Sequence, residues 1–239
     1  MASEYLKRKY RDVKPDEKVE LTPAEKRKNW WYYNKWYVAA GVLLVLAAAN
    51  LIWNWLGRGE PTPDYRIAYV GAQPMPGDTA AAIEANFAAL GEDLNGDGQV
   101  LVQLRQYVSN PDTDPASVAA ASVKLMADVM DQESFFFLLE DPDSFQKTYH
   151  TLSRLDGTLP EEGDDSTGDS ALLWKDCPVL AGMELGDYSY DVFGGDISGS
   201  SDAFASGLFI ARRGFWRAEP PEWQAGYQAL WEKLLAGAR

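Results

Sequence analysis

The chain has 239 residues, with 36 Asp and Glu against 22 Lys and Arg, one Cys and one His. A net charge of −14 argues against nucleic acid as a partner, because neutralising phosphates takes Lys and Arg. One Cys excludes an intramolecular disulfide and one His excludes a multi-histidine metal site.

The charge is segregated. Residues 1–35 carry ten basic and six acidic side chains, residues 36–57 carry none, and residues 58–239 carry twelve basic and thirty acidic ones. Residues 1–21 are polar, without apolar periodicity, and read as a cytoplasmic tail that anionic lipid attracts. Thr22-Pro23-Ala24-Glu25 is a capping box with Pro at the first helical position, so a juxtamembrane and transmembrane helix is predicted over residues 22–56. Its apolar part, Trp36 to Leu56, has 21 uncharged residues and spans about 31 Å as a helix, the thickness of a bilayer core. Trp30, Trp31, Trp36 and Tyr37 before it and Trp53 and Trp55 near its end suit the two headgroup boundaries.

Lys26, Arg27, Lys28 and Lys35 flank the span on its N-terminal side. The positive-inside bias then puts the N-terminus in the cytoplasm and the acidic remainder outside, as in a single-pass signal-anchor protein of a bacterial plasma membrane. A buried core helix rarely runs this long without charge. Cleavage at Ala47-Ala48-Ala49 would need a far shorter basic lead than 35 residues. Asn50 and Asn54 share a helix face; they pair across a helix dimer or meet water at the outer headgroups, and the belt tryptophans around Asn54 favour water.

Residues 57–64 read as a Gly/Pro linker and residues 65–239 as an extracytoplasmic α/β domain. Arg66 to Gly71 reads as a buried strand. Asp78 to Leu90 is an amphipathic helix with Ile83, Phe87 and Leu90 on one face. A turn at Asp93 to Gly98 leads into a strand over Gln99 to Val108. Asp114-Pro115 starts a helix to about Met130 whose apolar set is Val118, Ala121, Leu125, Ala127 and Val129. Ser134 to Leu139 (SFFFLL) is apolar on both faces, as a central parallel strand is. Asp143 to His150 is a short helix. The alternation predicts a mostly parallel three-layer α/β sandwich.

Glu161 to Ser170 reads as an acidic loop, and Gly182 to Gly207 shows no steady period. Gly207 to Arg212 is one more strand and Pro220 to Leu235 a final helix with Trp223, Tyr227, Leu230, Trp231 and Leu234 on one face. The irregular tract at residues 157–206 is expected to pack along a single domain.

This order of elements, with Leu125 to Phe145 (LMADVMDQESFFFLLEDPDSF) followed by Leu155-Asp156-Gly157, resembles one lobe of the extracellular solute-binding proteins that serve bacterial ABC importers. The resemblance covers Tyr65 to Asp156 and implies a fold, not an activity. Two lobes at about 100–150 residues each exceed the outer segment, so one lobe without a hinge is expected. Cys177 does not stand in the lipobox that Gram-positive members carry. The whole chain is also similar to small single-pass envelope proteins of Gram-positive gut bacteria, which implies a location.

Asp93, Asn95 and Asp97 stand at positions 1, 3 and 5 of a calcium loop with Gly98 as its turn, but position 12 is Leu104 where a bidentate carboxylate is required. The same residues suit a plain Asx-rich turn. No nucleophile elbow accompanies His150, no phosphate-loop spacing accompanies Gly194 and Gly195, and no spacing selects a hydrolytic pair among Asp164, Asp165, Asp187, Asp191 and Asp196. Cys177 before Pro178 reads as a small buried hydrophobe.

Gln73, Tyr107 and Asp141 fall at predicted strand ends, where α/β sheets hold ligands, and Arg212, Arg213 and Trp216 follow the last strand. These six are the candidate ligand rim. Arg212 and Arg213 equally suit pairing within an acidic domain, and Trp216 suits the core. The expected function is binding without a cofactor, with the bilayer and an envelope protein as partners; the alternatives are a small-ligand sensor and a cell-wall-directed hydrolase.

Overall fold

A computed structural model describes residues 22–55, 61–110, 114–161, 163–192, 195–215 and 221–238. The tail at residues 1–21, most of the linker, Leu56, Trp216 and the side chain of Asn54 lie outside the described residues. The chain forms two compact units, residues 1–60 and 61–239.

The first unit is helix α1, Pro23–Trp55. Its capping box forms: the Thr22 hydroxyl and N–H donate to the Glu25 carboxylate at 2.8 and 2.9 Å, and the Glu25 N–H donates to the Thr22 hydroxyl at 3.4 Å. Lys35 lies over the Tyr32 ring, 5.4 Å from its centroid. Over Pro23–Trp53 the helix is long and apolar enough to cross a membrane, and its most apolar stretch is unburied. That exposure is compatible with a single membrane span.

The second unit is built on a five-stranded sheet. Its elements are β1 (Tyr65–Gly71), α2 (Gly77–Leu90), β2 (Val102–Val108), α3 (Pro115–Asp131), β3 (Phe136–Leu139), α4 (Pro142–Tyr149), β4 (Ala171–Leu173), α5 (Pro178–Ala181), a hairpin of β5 (Asp187–Val192) and β6 (Gly195–Ser200), α6 (Ser201–Ala205), β7 (Phe209–Arg212) and α7 (Gln224–Leu234). The strand order is β2-β1-β3-β7-β4. Asp114 caps α3 as expected, accepting the Ser117 N–H, and α4 starts one residue ahead of the expected Asp143, with Asp141 as its cap accepting the Ser144 N–H; each cap is followed by Pro at the first helical position.

Period-2 alternation sends each strand's side chains to two cores. Tyr65, Ile67, Tyr69, Phe136, Leu138 and Ile210 pack on one face with Ile83 and Phe87 of α2 and Tyr227, Leu230, Trp231 and Leu234 of α7. Ala68, Phe137, Leu139 and Ala211 pack on the other with Leu125 of α3 and Phe145 of α4. Phe135 to Leu139 are all buried, as their composition predicts. Trp223 is only half-buried, at the N-cap of α7.

The sheet is mixed rather than mostly parallel. β1 pairs in parallel with β2 and β3, but β7 runs antiparallel to both β3 and β4, with Phe136 opposite Arg212 and Leu139 opposite Phe209. The cause is the approach of the chain. The Thr79 hydroxyl, in the first turn of α2, donates to the Ser201 hydroxyl at 2.8 Å, so α6 lies at the carboxyl end of β1. A parallel return needs a crossover of a dozen or more residues, and only α6 and three further residues precede β7.

Two other features differ from expectation. The irregular tract contains β4 and the β5–β6 hairpin, a separate two-stranded sheet with Tyr190 opposite Ile197. And α3 buries Leu125 and Asp128, leaves Ala127 exposed, and turns Val123 (69 % exposed), Met126 and Met130 (74 %) to solvent.

The buried tyrosines set an alkaline limit. Burial raises the Tyr69, Tyr107 and Tyr227 hydroxyls, Tyr227 to about 12. A phenol raised in the folded state adds stability that is complete below its ordinary value of about 10 and is lost as pH climbs through the folded value. Burial lowers Arg213 to about 10 and lowers Arg212 as well, which gives the opposite slope, but from two groups against five, since burial also raises Tyr65 and Tyr149. The denaturation midpoint of the full chain in detergent is expected to fall steadily from about pH 10 to about pH 12. A flat profile would contradict these burials.

Candidate functional site

The strand ends carry a cleft of about 370 Å³ between α3 and α4. It sits at the carboxyl ends of β1, β2 and β3, lined there by Val70, Gly71, Tyr107, Ser109, Glu140 and Asp141. α2, which follows β1, packs on one face of the sheet, and α4, which follows β3, packs on the other. The chain thus diverges between β1 and β3, the switch point at which open α/β sheets hold ligands.

Each wall has a local origin. Glu140 is the first residue past β3. Its Oε1 accepts the Tyr69 hydroxyl at 2.6 Å and its Oε2 accepts the Ala72 N–H at 2.8 Å. The same hydroxyl lies 2.7 Å from the Gln73 carbonyl. Burial, then Glu140, raises the Tyr69 hydroxyl far above the usual phenol range, so it keeps its proton as a donor. A Cβ at Gly71 would run into that hydroxyl and carboxylate, so any larger residue there would displace the Tyr69–Glu140 pair. The Gln106 side chain clamps the next loop, accepting the Met75 N–H at 3.0 Å and donating to its carbonyl at 3.2 Å. The α4 wall begins at Asp141, which accepts the Ser144 N–H at 3.0 Å and hydroxyl at 2.6 Å. These bonds hold the Asp141 carboxyl below the usual range and keep it ionised.

The floor rests on a buried polar cluster. The Tyr107 hydroxyl donates to Asp128 at 2.6 Å, and Asp128 also accepts the Ser134 N–H at 3.0 Å and hydroxyl at 2.7 Å. Arg105 and Arg213 each approach Asp128 to 3.9 Å, and Arg105 also pairs with Glu133.

Of the predicted rim, the structure brings together Tyr107 and Asp141. Gln73 lies just beyond the lining, with its side chain exposed. Arg212 and Arg213 are at the opposite end of the sheet, because β7 is antiparallel and Arg212 pairs with Phe136 at the start of β3. Both are buried. Arg213 caps the end of α3, donating to the Ser134 and Val129 carbonyls at 2.7 Å and the Asp128 carbonyl at 3.3 Å. Arg212 donates to Ser153 at 3.0 Å and to Gln228, and lies 5.5 Å from the Trp231 ring. Trp216 lies outside the described residues.

Glu140, Ser122, Ser144 and Thr148 line the cleft without having been singled out from the sequence. The short helix expected over Asp143 to His150 places the α4 wall; nothing local marks Glu140 beyond its place after a strand.

The remaining candidates are accounted for by local bonding. Asp93 spends its oxygens on the Gly96 and Gly98 N–H groups at 2.7 and 2.8 Å, Asn95 accepts Asp97 N–H and Asp97 accepts Gln99 N–H, both at 2.9 Å. Asp64 accepts the N–H groups of Leu94, Asn95 and Leu101, fixing the whole turn. Among the described residues no group of three or more His, Cys, Asp or Glu is placed to hold a metal ion. His150 is the left-handed C-cap of α4 and pairs with Asp165 at 3.0 Å. The buried Cys177 thiol donates to the Leu234 carbonyl at 2.9 Å.

No family model, curated protein or solved structure matches the chain.

Proposed function

We propose that the chain is a membrane-anchored binding module of a bacterial plasma membrane. In this reading Trp36 to Leu56 crosses the bilayer, residues 1–21 are cytoplasmic, and residues 65–239 form an extracytoplasmic three-layer α/β domain that binds rather than catalyses. The observation that carries it is the cleft at the switch point, whose lining joins an apolar floor of Val70, Leu125 and Phe145 to a polar rim. Apolar walls with a few placed polar groups are the usual make-up of small-molecule sites. A single domain has no second lobe to close over the ligand, so modest affinity is expected.

Two experiments test this. Thermal melting of the full chain in detergent against a panel of small solutes should show stabilisation by a subset. Ser122→Trp, which fills the cleft from the exposed face of α3, should abolish the effect. Stabilisation that survives Ser122→Trp would move the site elsewhere. For the topology, a reporter fused after Arg239 should be active only outside the cell, and Lys26, Arg27, Lys28 and Lys35 all changed to Gln should weaken the orientation. Cytoplasmic activity of the fusion would overturn the assignment.

A second reading, docking of an envelope protein, is favoured by the Val123, Met126 and Met130 stripe on α3, three apolar side chains on one exposed helical face. Capture of a protein from envelope extract that is lost in Met126→Lys would support it.

A further inference from the structure

We infer that the ligand held in the switch-point cleft carries a cationic hydrogen-bond donor, an ammonium or its equivalent, on an apolar body. The inference rests on the binding reading above and adds the chemical class of the ligand.

Charge comes first. Among the residues that line the cleft, Glu140 and Asp141 are the charged ones and none is basic. Lys147, whose charge contributes to keeping Asp141 ionised, lies on α4 outside the lining. An anion would face two carboxylates without a counter-charge, whereas a cation meets both.

Hydrogen-bond polarity points the same way. A hydroxyl has one proton and two lone pairs. The Ser122 hydroxyl donates to the Val118 carbonyl at 3.0 Å, Thr148 to the Ser144 carbonyl at 2.8 Å, Ser144 to Asp141 at 2.6 Å and Tyr107 to Asp128 at 2.6 Å. Four of the six hydroxyls in the lining thus spend their protons on the protein and offer lone pairs to the cleft. With the two carboxylates they make a rim in which acceptors outnumber donors, the Ser109 and Tyr149 hydroxyls being the lining groups not so committed, and such a rim suits a donor-rich head group better than a carboxylate or phosphate. Val70, Leu125 and Phe145 leave an apolar floor for the rest of the molecule. The acidic outer segment as a whole also draws cations toward the domain.

A matched set of probes separates these requirements: 2-phenylethylammonium, 2-phenylethanol and 3-phenylpropionate share a body and differ in head group. Binding is read by ligand-observed NMR on the full chain in zwitterionic nanodiscs, as the signal lost in Ser122→Trp. Thr148→Trp blocks from the opposite wall should either variant fail to fold. The ammonium is expected to bind, the alcohol about tenfold more weakly, and the carboxylate not at all. Asp141→Asn keeps an N-cap acceptor while removing its charge, and should weaken the ammonium while leaving the alcohol unchanged. Cleft-dependent binding of the alcohol or the carboxylate as tight as that of the ammonium overturns the charge assignment but leaves the binding site standing. Absence of any cleft-dependent signal overturns the inference and counts against the binding reading itself.

Discussion

Asp128→Ala is expected to destabilise the 61–239 unit by about 3–5 kcal/mol, the cost of breaking a buried ion pair from one side. The carboxylate is buried on α3 and accepts three hydrogen bonds, from the Tyr107 hydroxyl and from both the N–H and hydroxyl of Ser134. Alanine leaves those donors in a dry site. It also removes the carboxylate that faces the Arg213 guanidinium, which burial already penalises. The same change loosens Tyr107, so ligand binding should weaken along with stability. Denaturant unfolding of the full chain in detergent measures the first effect. The double variant Asp128→Ala with Arg213→Met should cost less than the sum of its parts, because the two residues contact each other. A loss below about 1 kcal/mol, the size seen for exposed pairs, would mean the cluster is hydrated.

Phe136→Ala is expected to cost about 3–5 kcal/mol as well, through a different mechanism. Phe136 is fully buried at the centre of the sheet, between β1 and β7. Its ring meets those of Phe135 at 5.0 Å, Tyr227 at 5.5 Å, Phe87 at 5.9 Å and Trp231 at 6.2 Å between centroids. Phe87 comes from α2 and Tyr227 and Trp231 from α7, while Phe135 directly precedes β3; held by different parts of the backbone, these rings cannot collapse together into the vacated volume. Transfer and cavity terms therefore add. Phe136→Leu keeps most of the volume and should cost distinctly less, and equal losses for the two variants would argue against a cavity.

What could be read from the sequence follows from how locally each feature is encoded. SFFFLL announces a strand covered on both faces and Asp114-Pro115 a helix start, because caps and apolar runs act within a few residues; the same Asp-Pro pattern at Asp141-Pro142 starts α4 one residue ahead of the expected Asp143. The direction of β7 is not local. Its Phe-Ile-Ala-Arg run is equally apolar in either sense, and the position of α6 beside α2 decides it. That reversal carries Arg212 and Arg213 away from the cleft, so a ligand rim drawn from strand ends holds only for strands of known direction. β4 has three residues, too few for a period, and Tyr188 and Tyr190 alternate for barely one repeat before the Gly194-Gly195 pair that marks hairpins. On α3, Asp128 is buried while Met126 and Met130 are exposed, an inversion of the apolar pattern that only the partners Tyr107, Ser134 and Arg213 explain. Glu140 escaped notice because its role depends on Tyr69 and Ala72, about seventy residues away in the chain.

The switch-point cleft is the proposed ligand site of the 61–239 unit. Chemical-shift mapping of the isotopically labelled full chain, in nanodiscs, against the small-solute fraction of an envelope extract tests it most directly. Shifts should concentrate on Gly71, Ser122, Ser144 and Thr148 and vanish in Ser122→Trp. Shifts confined to Met126, Met130, Tyr190 and Ile197, with the cleft residues unmoved, would contradict it.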